Sequence, residues 1–175
     1  MAGAAVVRRH PFPTAKETGM LSDAQLLRVR IKRWTLLLGV LQVTVGCLIG
    51  FIPASAIQWY RGLVMAHIEF TANGVLMVAF GFLATEMTLS AGALWAWFAL
   101  LQIGTWTNGA AGLVAALQGS SSPLMPSINE LFPPPGGTAN ALVDGLLKTC
   151  GVTITAALLL TLWGLARRLR QAADA

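Results

Sequence analysis

Long apolar runs separated by polar segments dominate the chain. A helix of about twenty apolar residues crosses the hydrocarbon core of a bilayer, and four runs reach that length. They cover residues 34–52, 63–84, 91–117 and 141–166. The pattern therefore predicts an all-α fold, an integral membrane four-helix bundle over residues 34–170.

The residues before the first run have a different pattern. Residues 1–20 contain Pro11 and Pro13 and no apolar period, which predicts a disordered tail. Residues 21–33 begin with Ser22, followed three positions later by Gln25, the spacing of a capping box. We expect a basic amphipathic anchor there that continues into the first span.

The connections between the runs differ in length. Residues 85–90 form a short connection, which predicts that the second and third spans are antiparallel neighbours. Residues 119–140 form a long one that contains several apolar side chains and five prolines. We expect this segment to fold back over the bundle, either as a lid or binding loop or as a stiff connector.

Composition and charge place the protein in a membrane. Of the 175 residues, 55% are hydrophobic and 11% are charged. The net charge is +5, but seven of the twelve basic residues precede the first run and three follow the last. That placement points to membrane topology and argues against a nucleic-acid partner. It predicts a multi-pass protein with both termini in the cytoplasm.

The second run contains a histidine, a glutamate and an asparagine, which are His67, Glu69 and Asn73. An ionisable group at membrane depth costs at least ~2.5 kcal/mol, so such groups usually face a bundle interior, a cavity or a cofactor. With about 100° of rotation per residue, Glu69 and Asn73 lie on one helix face and His67 lies on nearly the opposite face. For His67, a hydrogen bond to a neighbouring helix is the alternative to a role as a ligand.

The third run carries Gln102, Thr105 and Asn108 on one stripe, with Trp106 beside them. We consider these polar residues candidates for a site. Three glycines close to the stripe are expected to let neighbouring helices approach closely: Gly104, Gly109 and Gly112.

Two further pairs are expected to have structural roles. Asp144 and Lys148 are four residues apart near the start of the fourth run, which suits an ion pair. Cys47 and Cys150 each lie within an apolar run, and we expect unpaired packing residues rather than a disulfide.

Several short motifs in this order resemble the styrene oxide isomerases, a family of small four-helix membrane enzymes. The motifs are Ala66-His67, Asn73-Gly74 and Trp106-Thr107-Asn108. The chain is more similar to a sister group, the hydroxylaminobenzene mutases. That similarity extends over about residues 61–169 and adds Glu69 after His67, the run Gly104 to Asn108, and Met125-Pro126.

The resemblance implies a cofactor and an assembly. His67 would bind the iron of haem b, and the oligomer would be a homotrimer with haem between subunits. Iron ligation by two histidines of one chain is not expected, because the second histidine, His10, lies in the tail. An open position on the iron suits chemistry better than simple electron transfer.

The resemblance also implies an activity: rearrangement of an aryl hydroxylamine to an aminophenol, with ferric iron as a Lewis acid. Asn73 would orient the substrate, Glu69 would carry a proton, and Asn108 and Trp106 would complete the site. A small aromatic substrate would enter from the lipid.

Two alternatives remain, an epoxide-to-carbonyl isomerase and a non-catalytic haem-binding or helper subunit. Epoxide isomerases carry a tyrosine four residues after the asparagine that matches Asn108. This chain has Gly112 there, which favours the mutase interpretation.

Overall fold

The computed structural model describes residues 22–173, and every regular element in that range is helical. The elements are α1 (Asp23–Ile49), α2 (Tyr60–Leu83), α3 (Ala91–Gln118), α4 (Pro126–Leu131) and α5 (Ala141–Ala173), with a short 3-10 turn at Ala54–Ala56. The all-α prediction is confirmed. The predicted tail at residues 1–20 lies outside the described residues.

Helix α1 begins at the predicted capping box. The Ser22 hydroxyl accepts the backbone N–H of Gln25 at 3.4 Å, and the Gln25 side-chain oxygen accepts the backbone N–H of Ser22 at 2.9 Å. The helix then runs without a break to Ile49. The predicted anchor, as far as it is described, and the first span therefore form one continuous helix.

Three helices, α1, α2 and α5, are long and apolar enough to cross a membrane. Helix α3 has 28 residues and is longer than α2, which has 24, but it does not meet the same hydropathy criterion. Its glycines, its tryptophans and the amides Gln102 and Asn108 lower its hydropathy. Three of the four predicted spans are thus supported, and a crossing by α3 stays a prediction.

The long helices are arranged more as a row than as a closed ring. Helix α2 packs against both α1 and α3, and α3 packs against α5. Helix α1 also makes a smaller contact with α3, whereas α1 and α5 share no extensive interface within residues 22–173. A closed four-helix bundle is therefore not confirmed.

Glycines make the close helix approaches, as expected for the third span. A Cβ at Gly104 would lie 2.5 Å from the Ile154 side chain of α5. At Gly109 it would lie 2.6 Å from the ring of Phe70 on α2. Any larger residue at these positions would force the facing side chains or the helices to shift.

One end of the molecule contains the start of α1, the connection between α2 and α3, and the end of α5. In that connection, the backbone N–H of Thr88 donates to the Gly164 carbonyl at 3.0 Å, and Glu86 pairs with Arg168 at 3.1 Å. The predicted antiparallel packing of α2 and α3 is confirmed. The cytoplasmic location of this end stays a prediction.

At the opposite end, the connection between α3 and α5 folds back, as predicted. The Trp59 indole N–H donates to the Phe132 carbonyl at 3.2 Å. The Arg61 guanidinium lies 3.8 Å from the centre of the Phe132 ring. Asn140 then caps α5 by accepting the N–H groups of the second and third helical residues at 3.0 and 3.1 Å. The segment is held at both ends.

Candidate active site

Three of the predicted site residues form one hydrogen-bonded cluster between α2 and α3. One carboxylate oxygen of Glu69 accepts the side-chain amide of Asn73 at 3.4 Å and also accepts the side-chain amide of Asn108. Asn73 is buried, and Glu69 and Asn108 are partly buried. The carboxylate is thus held by amide donors from two helices, an arrangement that orients it while leaving its second oxygen without a partner among these side chains.

His67 is held separately, on the side of α2 that faces α1. Its Nδ1 donates to the Gly46 carbonyl of α1 at 2.7 Å. Since that bond requires the proton on Nδ1, the neutral ring has a free lone pair on Nε2. The hydrogen bond to a neighbouring helix that we considered as an alternative is present, and it occupies only one of the two ring nitrogens.

A pocket of about 380 Å³ adjoins His67. Its walls are mostly apolar and come from the end of α1 and the first two turns of α2. The lining residues are Cys47, Gly50, Phe51, Tyr60, Leu63, Val64 and His67. Phe51 is 84% exposed, so this pocket opens on the outer face of the chain.

The two polar sites of α2 face different helices, as the helical rotation predicts. His67 contacts α1 through Gly46, and Glu69 contacts α3 through Asn108. One chain therefore does not bring His67 together with the cluster of Glu69, Asn73 and Asn108.

The structure gives Trp106 an aromatic environment. Its ring meets the ring of Phe70 edge to face, with centroids 5.8 Å apart. Both belong to an apolar cluster with Leu63 and Ala66 of α2 and Ile49 of α1. The contacts of Trp106 are those of a packing residue beside the polar cluster, and its catalytic role stays a prediction.

Two glutamines are buried without partners. Neither the amide nitrogen nor the amide oxygen of Gln42 or Gln102 has a hydrogen-bond partner within residues 22–173. In the same first span, by contrast, the Thr44 hydroxyl donates to the Val40 carbonyl at 2.9 Å. Gln102 does not join the cluster of Glu69.

The ion pair predicted from the spacing is present, and the two cysteines are unpaired as predicted, although Cys47 is exposed and is not a packing residue. Asp144 and Lys148 form an ion pair at 2.6 Å, and Asp144 also accepts the Ser122 hydroxyl at 2.9 Å. Cys47 and Cys150 are free thiols. The ion pair therefore belongs to the junction between the fold-back segment and α5.

Protein side chains alone do not form a metal site in the described part of the chain. No group of three or more His, Cys, Asp or Glu residues there is arranged to hold an ion. A single histidine beside an apolar pocket is a donor set that would fit iron whose remaining ligands are supplied by a porphyrin.

The sequence has recognisable relatives. The family model for styrene oxide isomerase matches residues 31–166. Hydroxylaminobenzene mutase HabB of Ectopseudomonas oleovorans is 30% identical over 139 residues, which cover 77% of this chain and 81% of the relative. No solved structure matches. The matched region includes α2 and α3 entirely, and with them the five residues to which the resemblance assigns roles: His67, Glu69, Asn73, Trp106 and Asn108.

Proposed function

Because the chain belongs to the styrene oxide isomerase family, we propose that it is a membrane isomerase that rearranges an aryl hydroxylamine to an aminophenol. Isomerase or mutase activity is common to the family and to the mutase relative. The choice of substrate rests on that relative and on Gly112. A Cβ there would lie 2.8 Å from the backbone nitrogen of Ala66, so α2 leaves no room for the tyrosine of epoxide isomerases.

The observation that carries the proposal is the Glu69 carboxylate held by two amides. In the rearrangement the N–O bond breaks, a C–O bond forms at a ring carbon, the ring loses a proton and the nitrogen gains one. The reaction involves no net oxidation, but it needs a group that accepts and returns a proton. Glu69 would do this, while Asn73 and Asn108 would fix its carboxylate and orient the substrate oxygen.

His67 fits the role of a haem b ligand. Its Nδ1 is committed to the Gly46 carbonyl, which fixes the ring tautomer and leaves Nε2 for a metal. Phe51, Leu63 and Val64 supply an apolar wall beside it. Ferric haem b, when bound, would supply a Lewis acid that polarises the substrate oxygen.

The opposed directions of His67 and Glu69 support a shared site in a homo-oligomer. His67 of one subunit would serve the same cofactor as Glu69 and Asn73 of a neighbour, and the resemblance implies a trimer. The pocket beside His67 opens on the outer face of the chain, where a second subunit can reach it. A small aromatic substrate would arrive there from the lipid.

The second candidate is an epoxide-to-carbonyl isomerase, which the description of the matching family favours. This reaction would use the same residues, but no proton would be delivered to a nitrogen atom. A non-catalytic helper subunit is disfavoured, because the mutase relative aligns over most of both chains.

The test is turnover by the full chain, purified in detergent and characterised by its absorption spectrum. Phenylhydroxylamine and styrene oxide are offered separately. Glu69→Gln removes the carboxylate charge within the cluster, and Glu86→Gln makes the same change at an exposed carboxylate near Arg168. We expect the unchanged chain to convert phenylhydroxylamine and to show a Soret band. The rate should fall by roughly 10² or more in Glu69→Gln and stay near normal in Glu86→Gln.

Conversion of styrene oxide alone would select the second candidate. Equal rates for both glutamate variants would remove Glu69 from the chemistry. Full turnover by protein without a Soret band would remove haem from the proposal while leaving the isomerase in place.

A further inference from the structure

A groove runs along the outer face of α1 near its start, far from His67. Its volume is about 570 Å³, and the residues that line it within the described range 22–173 belong to α1. They are Leu26, Val29, Arg30, Arg33, Trp34 and Leu37. Two arginines and four apolar or aromatic residues thus share one face, at the place where the basic part of the helix meets the apolar part.

The two arginines present their charge outward. Arg30 and Arg33 are exposed, and the ion pairs within residues 22–173 are Asp144 with Lys148 and Glu86 with Arg168. No carboxylate in the described part of the chain therefore neutralises the groove. One turn apart on the same face, two guanidinium groups can converge on a single phosphate.

Below the arginines the exposed face of α1 is apolar. Trp34 is 47% exposed and Leu37 is 59% exposed. Val40, Leu41 and Leu48 continue the exposed stripe toward the other end of the helix. A ligand that follows this face needs an anionic group at the basic end and a long apolar part along the helix.

We propose that this groove binds an anionic phospholipid, with the phosphate on Arg30 and Arg33 and an acyl chain along Trp34 and Leu37. Charge complementarity selects the lipid, because a zwitterionic headgroup carries its own cation and gains less from two arginines. Tryptophan at the headgroup level is the usual anchor of a membrane helix. The basic end of the chain would therefore hold particular lipids rather than only the membrane surface.

The experiment measures lipid binding to the full chain in phosphatidylcholine nanodiscs that contain brominated phosphatidylglycerol. Bromine quenches nearby tryptophan, and the contribution of Trp34 is the difference between the unchanged chain and Trp34→Phe. The test variant is Arg30→Gln with Arg33→Gln. The matched control, Arg167→Gln with Arg170→Gln, removes the same charge from exposed positions on α5 at the same end.

We expect the affinity of the groove for phosphatidylglycerol to fall about fivefold for each arginine, and about thirtyfold for the pair. The control should retain its affinity, and high salt should reduce the difference. Brominated phosphatidylcholine should quench Trp34 more weakly.

Three results would overturn the proposal. Equal losses in both double variants would mean that only the net charge of this end matters. Displacement of the lipid by millimolar inorganic phosphate would indicate a phosphate site without acyl recognition. A change of oligomeric state in the Arg30 and Arg33 variant would assign the groove to a second copy of the chain.

Discussion

The carbonyl of Gly46 makes a specific prediction, because it positions His67 from a neighbouring helix. In Gly46→Ala the new Cβ would lie 2.8 Å from the backbone nitrogen of Thr71. Since ordinary contact begins at 3.4 Å, α1 and α2 must separate there by about 0.6 Å. The 2.7 Å bond from His67 Nδ1 would lengthen to roughly 3.3 Å, beyond the usual range for such bonds.

Two magnitudes follow from this separation. Overpacking of this kind destabilises a protein by about 1–3 kcal/mol. Loss of an outer partner of a metal-ligating histidine typically costs about 10- to 100-fold in metal affinity. We therefore expect Gly46→Ala to lose both stability and haem affinity.

The matched control is Gly39→Ala, two turns earlier on α1. Its Cβ would lie 2.9 Å from the Gly74 carbonyl, so it also separates α1 from α2, but away from His67. Unfolding in detergent and haem titration by Soret absorbance are measured for both variants. Similar destabilisation with haem loss confined to Gly46→Ala supports the reasoning. Equal haem affinity in both variants would refute a positioning role for the Gly46 carbonyl.

Three other predictions concern the haem ligand, the amides that hold Glu69, and the oligomer. His67→Ala should abolish the Soret band while the chain still inserts, and an undiminished band would contradict His67 as the ligand. Asn73→Leu and Asn108→Leu should retain haem and lose turnover by roughly 10², measured as kcat at constant haem content; full rates in both would make these amides structural. Mixed oligomers of His67→Ala and Asn73→Leu subunits should regain part of the activity, since some interfaces combine an intact His67 with an intact Asn73; no recovery in verified mixed oligomers would exclude a shared site.

Periodicity in the sequence predicts the features that depend on one helix. The shared face of Glu69 and Asn73 and the ion pair of Asp144 with Lys148 are both confirmed, because residues four apart share a helix face. The opposed directions of His67 and Glu69 follow from the same rotation. The capping box at Ser22 is likewise a local pattern.

Periodicity within one helix does not predict the contacts between helices. The bond from Asn108 to Glu69 depends on the rotation and register of α3 against α2, which close contacts at Gly109 and Gly112 set. The hydrogen-bond partner of His67 is the backbone carbonyl of Gly46. Because every residue has a backbone carbonyl, residue types do not predict which one His67 meets. Gln42 shows the same limit, since its position in an apolar run does not reveal that its buried amide has no partner within residues 22–173.

Helix α5 lies at the end of the row of helices and carries none of the residues proposed for the active site. The five residues with proposed roles, His67, Glu69, Asn73, Trp106 and Asn108, lie on α2 and α3, and the main helix interface of α5 is with α3. The interfaces of α2 with α1 and with α3 do not involve α5, so they could form before α5 packs on α3. Substitutions on the exposed face of α5 would leave the hydrogen bonds of His67, Glu69, Asn73 and Asn108 unchanged, because those bonds lie within and between α1, α2 and α3.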